Sequence, residues 1–124
     1  MNSEERLHIN KIAAKMLGNR ASTELAEISE DSLIFPVVGD MLCEGNVGKF
    51  NIFENAEDTL SMIKLLLKKY SVFVDYSPSN KAYGVLRVRD TYVVTLPFVY
   101  DTYEDALGAA VLYINTNMKF YDAK

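Results

Sequence analysis

The sequence predicts an α+β fold, a small antiparallel meander of three to four strands sandwiched by helices in α/β/α layers. Three observations predict it. Residues 72–96 contain VFVDYS, YGVLRVR and YVVTL, short runs with period-two alternation and many β-branched or aromatic residues. Pro78-Ser79-Asn80-Lys81 and Arg89-Asp90-Thr91 separate the runs with turn-forming residues. Residues 56–70 before them and 101–117 after them repeat apolar residues at helical spacing.

The 124 residues are enough for one domain with a real core, and 1–124 is read as a single unit. An apolar fraction of 49% against 24% charged excludes a largely disordered chain. The net charge of −4 gives no long-range attraction to nucleic-acid phosphates or anionic membranes, so neither is expected as a direct partner. Cys43 is the single cysteine, which rules out an intrachain disulfide. The opening MNSEERLHINK is charged and lacks an apolar signal core, and no apolar run is long enough to span a bilayer. A cytoplasmic protein is expected.

Residues 3–17 read as a helix, with Ser3 as N-cap, Glu4 and Glu5 in the first turn and Gly18 past its end. Ile9, Ile12, Ala13 and Met16 follow helical spacing. STELAEISE, 22–30, reads as a second short helix capped by Ser22 or Thr23. Residues 31–54 are the least legible. Pro36 either opens a helical turn or marks an edge strand, and Lys49 to Phe53 reads as an edge strand with Phe50 and Ile52 on one face and Phe53 on the other.

The helix at 56–70 is the clearest in the chain. Asn55 caps it, Glu57 and Asp58 lie at its positive end, and Lys68 and Lys69 lie at its negative end. Leu60, Ile63, Leu67 and Tyr70 form a stripe that Met62, Leu65 and Leu66 widen. So wide an apolar surface implies cover on more than one side, within the domain or from a second subunit, and a homodimer through 56–70 is one expectation. In the meander, Val72, Val74 and Tyr76 share a face opposite Phe73 and Asp75, and Leu86 and Val88 oppose Arg87 and Arg89. Pro97 is expected to end the pairing. The last helix is capped by Asp101 or Thr102, with Leu107, Ala110, Val111, Ile114 and Met118 facing the sheet and Gly108 permitting close approach. The tail, Phe120-Tyr121, is expected to dock. EDTL at 57–60 and EDAL at 104–107 match through shared capping chemistry or through duplication.

No reaction chemistry stands out. His8 and Cys43 are the sole residues of their kinds, too few for a zinc ligand set, and no nucleophile–base pair suggests itself. The acidic pairs Glu4-Glu5, Glu57-Asp58 and Glu104-Asp105 each fall in a helix's first turn, where the macrodipole explains them. No glycine pattern for phosphate binding is present. No cofactor, metal or enzymatic activity is expected. Arg87 and Arg89, with Lys81 nearby, either form an anion site or cover an exposed sheet edge and pair with Asp75. Eight tyrosines are many for this length; Tyr76, Tyr83 and Tyr92 in the meander suit either a contact surface or ordinary strand packing. The candidate binding residues are therefore Tyr76, Tyr83, Arg87, Arg89 and Tyr92.

Three segments together resemble the phage ABA-sandwich family of small accessory proteins. Ile12-Ala13-Ala14-Lys15-Met16-Leu17-Gly18 is similar to the family's opening motif, FENAEDTLSMIKLLL (53–67) to its central helix, and YEDALGAAVLYI (103–114) to its alanine-rich closing helix. Asn19 stands where the family carries an aromatic residue, and 22–54 is longer and less regular than the family's pattern. The resemblance implies an α/β/α layered phage protein with no catalytic residues. Two functional expectations follow. The first is a non-enzymatic protein-binding module, for instance an inhibitor of a host defence effector such as a CRISPR nuclease, its acidic surface engaging a basic channel. The second is an oligomeric small-ligand or nucleotide-binding protein using Arg87, Arg89 and nearby tyrosines.

Overall fold

The computed structural model describes residues 1–18, 27–34 and 48–117. The α+β class is as expected, with three helices and two antiparallel three-stranded sheets among the described residues. Helix α1 spans Ser3–Met16, strands β1 and β2 span Glu27–Ser29 and Ser32–Ile34, and β3 is Lys49–Phe50. Helix α2 spans Ala56–Leu65 and continues as a π-helical turn, Leu66–Tyr70. Strands β4 (Val72–Ser77), β5 (Ala82–Arg89) and β6 (Tyr92–Thr95) follow, then α3 (Tyr103–Asn117).

The meander forms in the expected order, β4-β5-β6, with Val74 opposite Val85 and Val88 opposite Val93. Pairing does not stop at Pro97. Tyr100 and Tyr83 exchange two backbone hydrogen bonds of 2.7 and 3.1 Å, so Pro97–Val99 is a bulge and not an end. The second sheet corrects the reading of 22–30 as a helix. Residues 27–29 are a strand that turns through Glu30, held at φ 56°, and pairs back along β2; residues 22–26 lie outside the described residues. Three residues that can bury no continuous stripe gain more from a hairpin partner than from one unsupported helical turn. The expected strand at 49–53 is paired only over Lys49–Phe50, and Asn51, Ile52 and Phe53 are all buried, which no alternating strand would achieve. The readings placed on Pro36, Cys43, Met118 and Phe120-Tyr121 also fall outside the described residues.

Helix ends follow local chemistry. Asn2, not Ser3, caps α1, its side chain accepting from the Glu5 N–H at 2.8 Å. Gly18, at φ 69°, takes the left-handed exit that a Cβ would oppose. Asn55 caps α2 by accepting from the Glu57 N–H at 3.0 Å, and Thr102 caps α3 by accepting from the Asp105 N–H at 3.1 Å. Ser71, at φ 56°, ends the π-helical turn and aims the chain into β4.

One core joins the elements. Ile9, Ala13 and Ala14 of α1 meet Leu33, Phe50, Ile52 and Phe53, and α3 contributes Leu107, Ala110, Val111 and Ile114. α3 also packs on β4 and β5, over the face carrying Val72 and Val85. α1 packs against α3 and β2. α2 does not cover the opposite face; it puts Met62 and Leu66 into the same core. Gly108 lets α3 approach closely: a Cβ there would lie 2.9 Å from the Phe53 ring and 3.2 Å from Ile9 Cδ1.

A buried amide network fixes the loop between β3 and α2. Asn10 Nδ2 donates to the Asp31 carbonyl at 2.8 Å and to Asn51 Oδ1 at 3.2 Å, while Asn10 Oδ1 accepts from the Ile52 N–H at 2.9 Å. Asn51 Nδ2 donates to Asp31 Oδ1 at 3.1 Å and Ser32 Oγ at 2.9 Å, and its Oδ1 also accepts from the Phe53 N–H at 2.9 Å. The Asn51 N–H in turn donates to Asp58 Oδ2 at 3.0 Å. Both amides are used on both sides, the condition under which buried polar groups stabilise a unique packing.

Asn51→Ala should cost about 3 kcal/mol or more, because Asn10 Nδ2, the Phe53 N–H, Asp31 Oδ1 and Ser32 Oγ each lose a buried partner; urea unfolding measures it. Partial burial raises the Asp58 pKa, the Asn51 N–H opposes the rise, and Glu57 adds to it. A raised carboxyl gives stability that is complete below the unfolded pKa and is lost as pH rises through the folded one. Asp58→Asn keeps an acceptor for Asn51, so the stability of wild type relative to this variant should fall as pH rises above the ordinary aspartate range; a difference that stays constant, or grows in wild type's favour, contradicts this.

Candidate functional site

The β-strand register decides which side chains meet. The five sequence-selected residues, Tyr76, Tyr83, Arg87, Arg89 and Tyr92, all project from the face of the β4–β6 sheet that α3 packs on. They do not form one site. Tyr83 and Arg89 are six residues apart on β5, about 20 Å along the strand. At one end Tyr76 and Tyr83 rings lie 4.9 Å apart, and Tyr103 meets Tyr83 edge-on at 5.9 Å. Burial, with the neighbouring Glu104 charge second, pushes the Tyr103 phenol above its ordinary range, so it remains protonated near neutral pH. At the other end Arg89 lies opposite Tyr92, which is largely exposed.

Arg87 lies between them, opposite Val72 and Val94. It is only 6% exposed, and its Nε has no hydrogen-bond partner. Among the described residues no carboxylate pairs with Arg87. The expected pairing with Asp75 is not made: Asp75 is opposite Gly84 and points from the other face. The Arg87 guanidinium therefore lies where solvent reaches it poorly.

The other face of the meander is the more open surface. Val88 and Val93 form a cross-strand pair there and are 46% and 53% exposed. Phe73 and Leu86 continue the strip in the next row. Phe98, in the bulge, lies flat on the sheet at Gly84, where a Cβ would come within 2.6 Å of its Cγ. The absence of a side chain at Gly84 therefore lets an aromatic ring cover the strip's far end. Asp75 and Asp90 stand exposed beside these apolar residues. Sequence reasoning chose the tyrosine and arginine face and passed over this one. The signal was present in the alternation of Phe73, Leu86, Val88 and Val93, but the alternation alone does not say which face a helix takes.

Elsewhere the described residues bring few reactive groups together. His8 is exposed on α1. No group of three or more His, Cys, Asp or Glu residues could hold a metal ion among the described residues. A shallow depression of about 390 Å³ at the start of α2 is walled by Lys49, Asn51, Glu54, Asn55, Ala56 and Glu57. Asp105 is committed to structure, accepting from Arg6 Nη2 at 3.1 Å, and Arg6 also lies over the Phe53 ring at 5.1 Å. Among the described residues no helix is long and apolar enough to cross a membrane. No protein-family model, curated protein or solved structure matches the chain.

Proposed function

We propose that the chain is a non-enzymatic protein-binding module whose contact surface is the outer face of β4–β6. The exposed Val88–Val93 pair carries the reading. With Phe73, Leu86 and Phe98 it makes an apolar centre, and Asp75 and Asp90 supply a polar, acidic rim, the anatomy of a protein contact. The partner chemistry that fits is an apolar patch edged by basic side chains. Its most specific form is a phage-borne inhibitor of a host defence effector, such as a CRISPR nuclease, engaging that effector's basic nucleic-acid channel; the net charge of −4 supports it.

The test pairs wild type with Val88→Lys/Val93→Lys, checked for an unchanged thermal midpoint. A partner captured from bacterial host lysate is then purified and titrated against both. Wild type should bind at least about 30-fold more tightly, the loss expected when a hot spot is removed. Equal affinities would overturn the reading.

A second reading is favoured by one observation, the buried Arg87, which no carboxylate pairs among the described residues. On this reading a phosphate or carboxylate group of a small ligand neutralises the guanidinium. Inorganic phosphate and a nucleotide panel should then raise the melting midpoint of wild type and leave Arg87→Met unmoved. A ligand at a hundred times its Kd stabilises by about 2.7 kcal/mol, well within reach of a thermal shift measurement. No response across the panel retires the reading.

A further inference from the structure

The outward side of α2 has a pattern that the core does not use. Met62 and Leu66 are 0% and 1% exposed and turn inward, whereas Leu60 and Leu67 are 50% and 51% exposed. Leu60 and Leu67 are one heptad apart, with the half-buried Ile63 between them, the three-then-four spacing of a helix–helix seam. Lys64, Glu57 and Lys68 flank this ridge and are also exposed. The charges are segregated along the helix. Glu54, Glu57 and Asp58 stand at its start and Lys68 and Lys69 at its end, with Lys64 near the middle.

We propose that this ridge binds a second copy of the chain, with the two α2 helices antiparallel about a two-fold axis near residues 63–64. In that register Leu60 of each chain lies beside Leu67 of the other, so the patch is complementary to itself, as a two-fold interface requires. The same operation brings the acidic start of one helix to the basic end of its partner, Glu57 near Lys68 and Lys69. A parallel pairing would set like charges side by side, at a cost. A foreign partner would need to reproduce both the leucine spacing and the charge gradient; a second copy does so by symmetry.

Light scattering on the full chain at about 100 μM should give twice the 14.0 kDa chain mass. A mass of 14.0 kDa at that concentration overturns the proposal. Leu60→Gln/Leu67→Gln, conservative at half-exposed positions, should give a monomer with an unchanged circular dichroism spectrum; a dimer that survives it places the interface elsewhere and also overturns the proposal. Sedimentation of charge variants then sets the orientation. Glu57→Lys and Lys68→Glu alone should each weaken the dimer roughly fivefold, since two symmetric ion pairs are lost, and the double variant should recover most of the loss. Single variants that leave the dimerisation constant unchanged, or a double variant no better than either, rule out the antiparallel register.

Discussion

Two buried asparagines set the geometry that the rest of the structure inherits. Asn10 comes from α1 and Asn51 from the loop after β3, and neither amide can be left without partners in an apolar interior. Their mutual hydrogen bond, and those to the Asp31 carbonyl, Ser32 Oγ and the Ile52 and Phe53 N–H groups, tie α1, the β1–β2 hairpin and the loop at one point. Slipping any of the three by a residue would strand several donors at once. The loop therefore has one route, which carries the Phe53 ring over Gly108 and beneath the Arg6 guanidinium. It also delivers Asn55 to the position where it caps α2, helped by the Asn55 N–H donating to the Asn51 carbonyl at 2.9 Å.

The direction of α2 follows from that anchor, and the distribution of apolar surface follows from the direction of α2. Because Met62 and Leu66 enter the core shared by α1 and α3, the helix cannot also shield the outer face of the meander. Two apolar surfaces are left, of different character. The β4–β6 face is aliphatic and aromatic with carboxylates beside it, which suits a partner carrying the opposite charge. The α2 ridge carries both signs in a gradient and is complementary to its own reverse. Geometry thus leaves two separate apolar surfaces with different charge patterns.

The candidate surfaces were only partly legible from residue order. Alternation in VFVDYS and YGVLRVR gave the two faces of each strand correctly, but only the register shows that Tyr76, Tyr83, Arg87, Arg89 and Tyr92 share one of them while Asp75 lies on the other. Alternation is symmetric, however, and both faces of this meander hold apolar residues. Arginine and tyrosine suggested a solvent-facing side, yet Arg87 is buried, since long polar side chains can cover apolar surface with their stems. The wide stripe of 56–70 was read as demanding cover on more than one side; among the described residues only the side carrying Met62 and Leu66 is covered, and Leu60 and Leu67 are left exposed.

What the sequence by itself determined are the features set by neighbours within a few residues: the α+β class, the three strands of the meander and their turns, the cap at Asn55, and the exit at Gly18. Period, capping and turn chemistry are local, so local order encodes them. Only the tertiary structure decided that 27–29 pairs as a strand, that Asn51 turns inward and ends β3, that pairing resumes at Tyr100, and which face of the meander α3 takes. The last three depend on partners far along the chain, such as Tyr83 for Tyr100 and Asn10 for Ile52, whereas 27–29 pairs with a strand only three to seven positions on. Hydrogen bonds and burial across such separations are satisfied by the whole fold at once, and no short window of residues contains them.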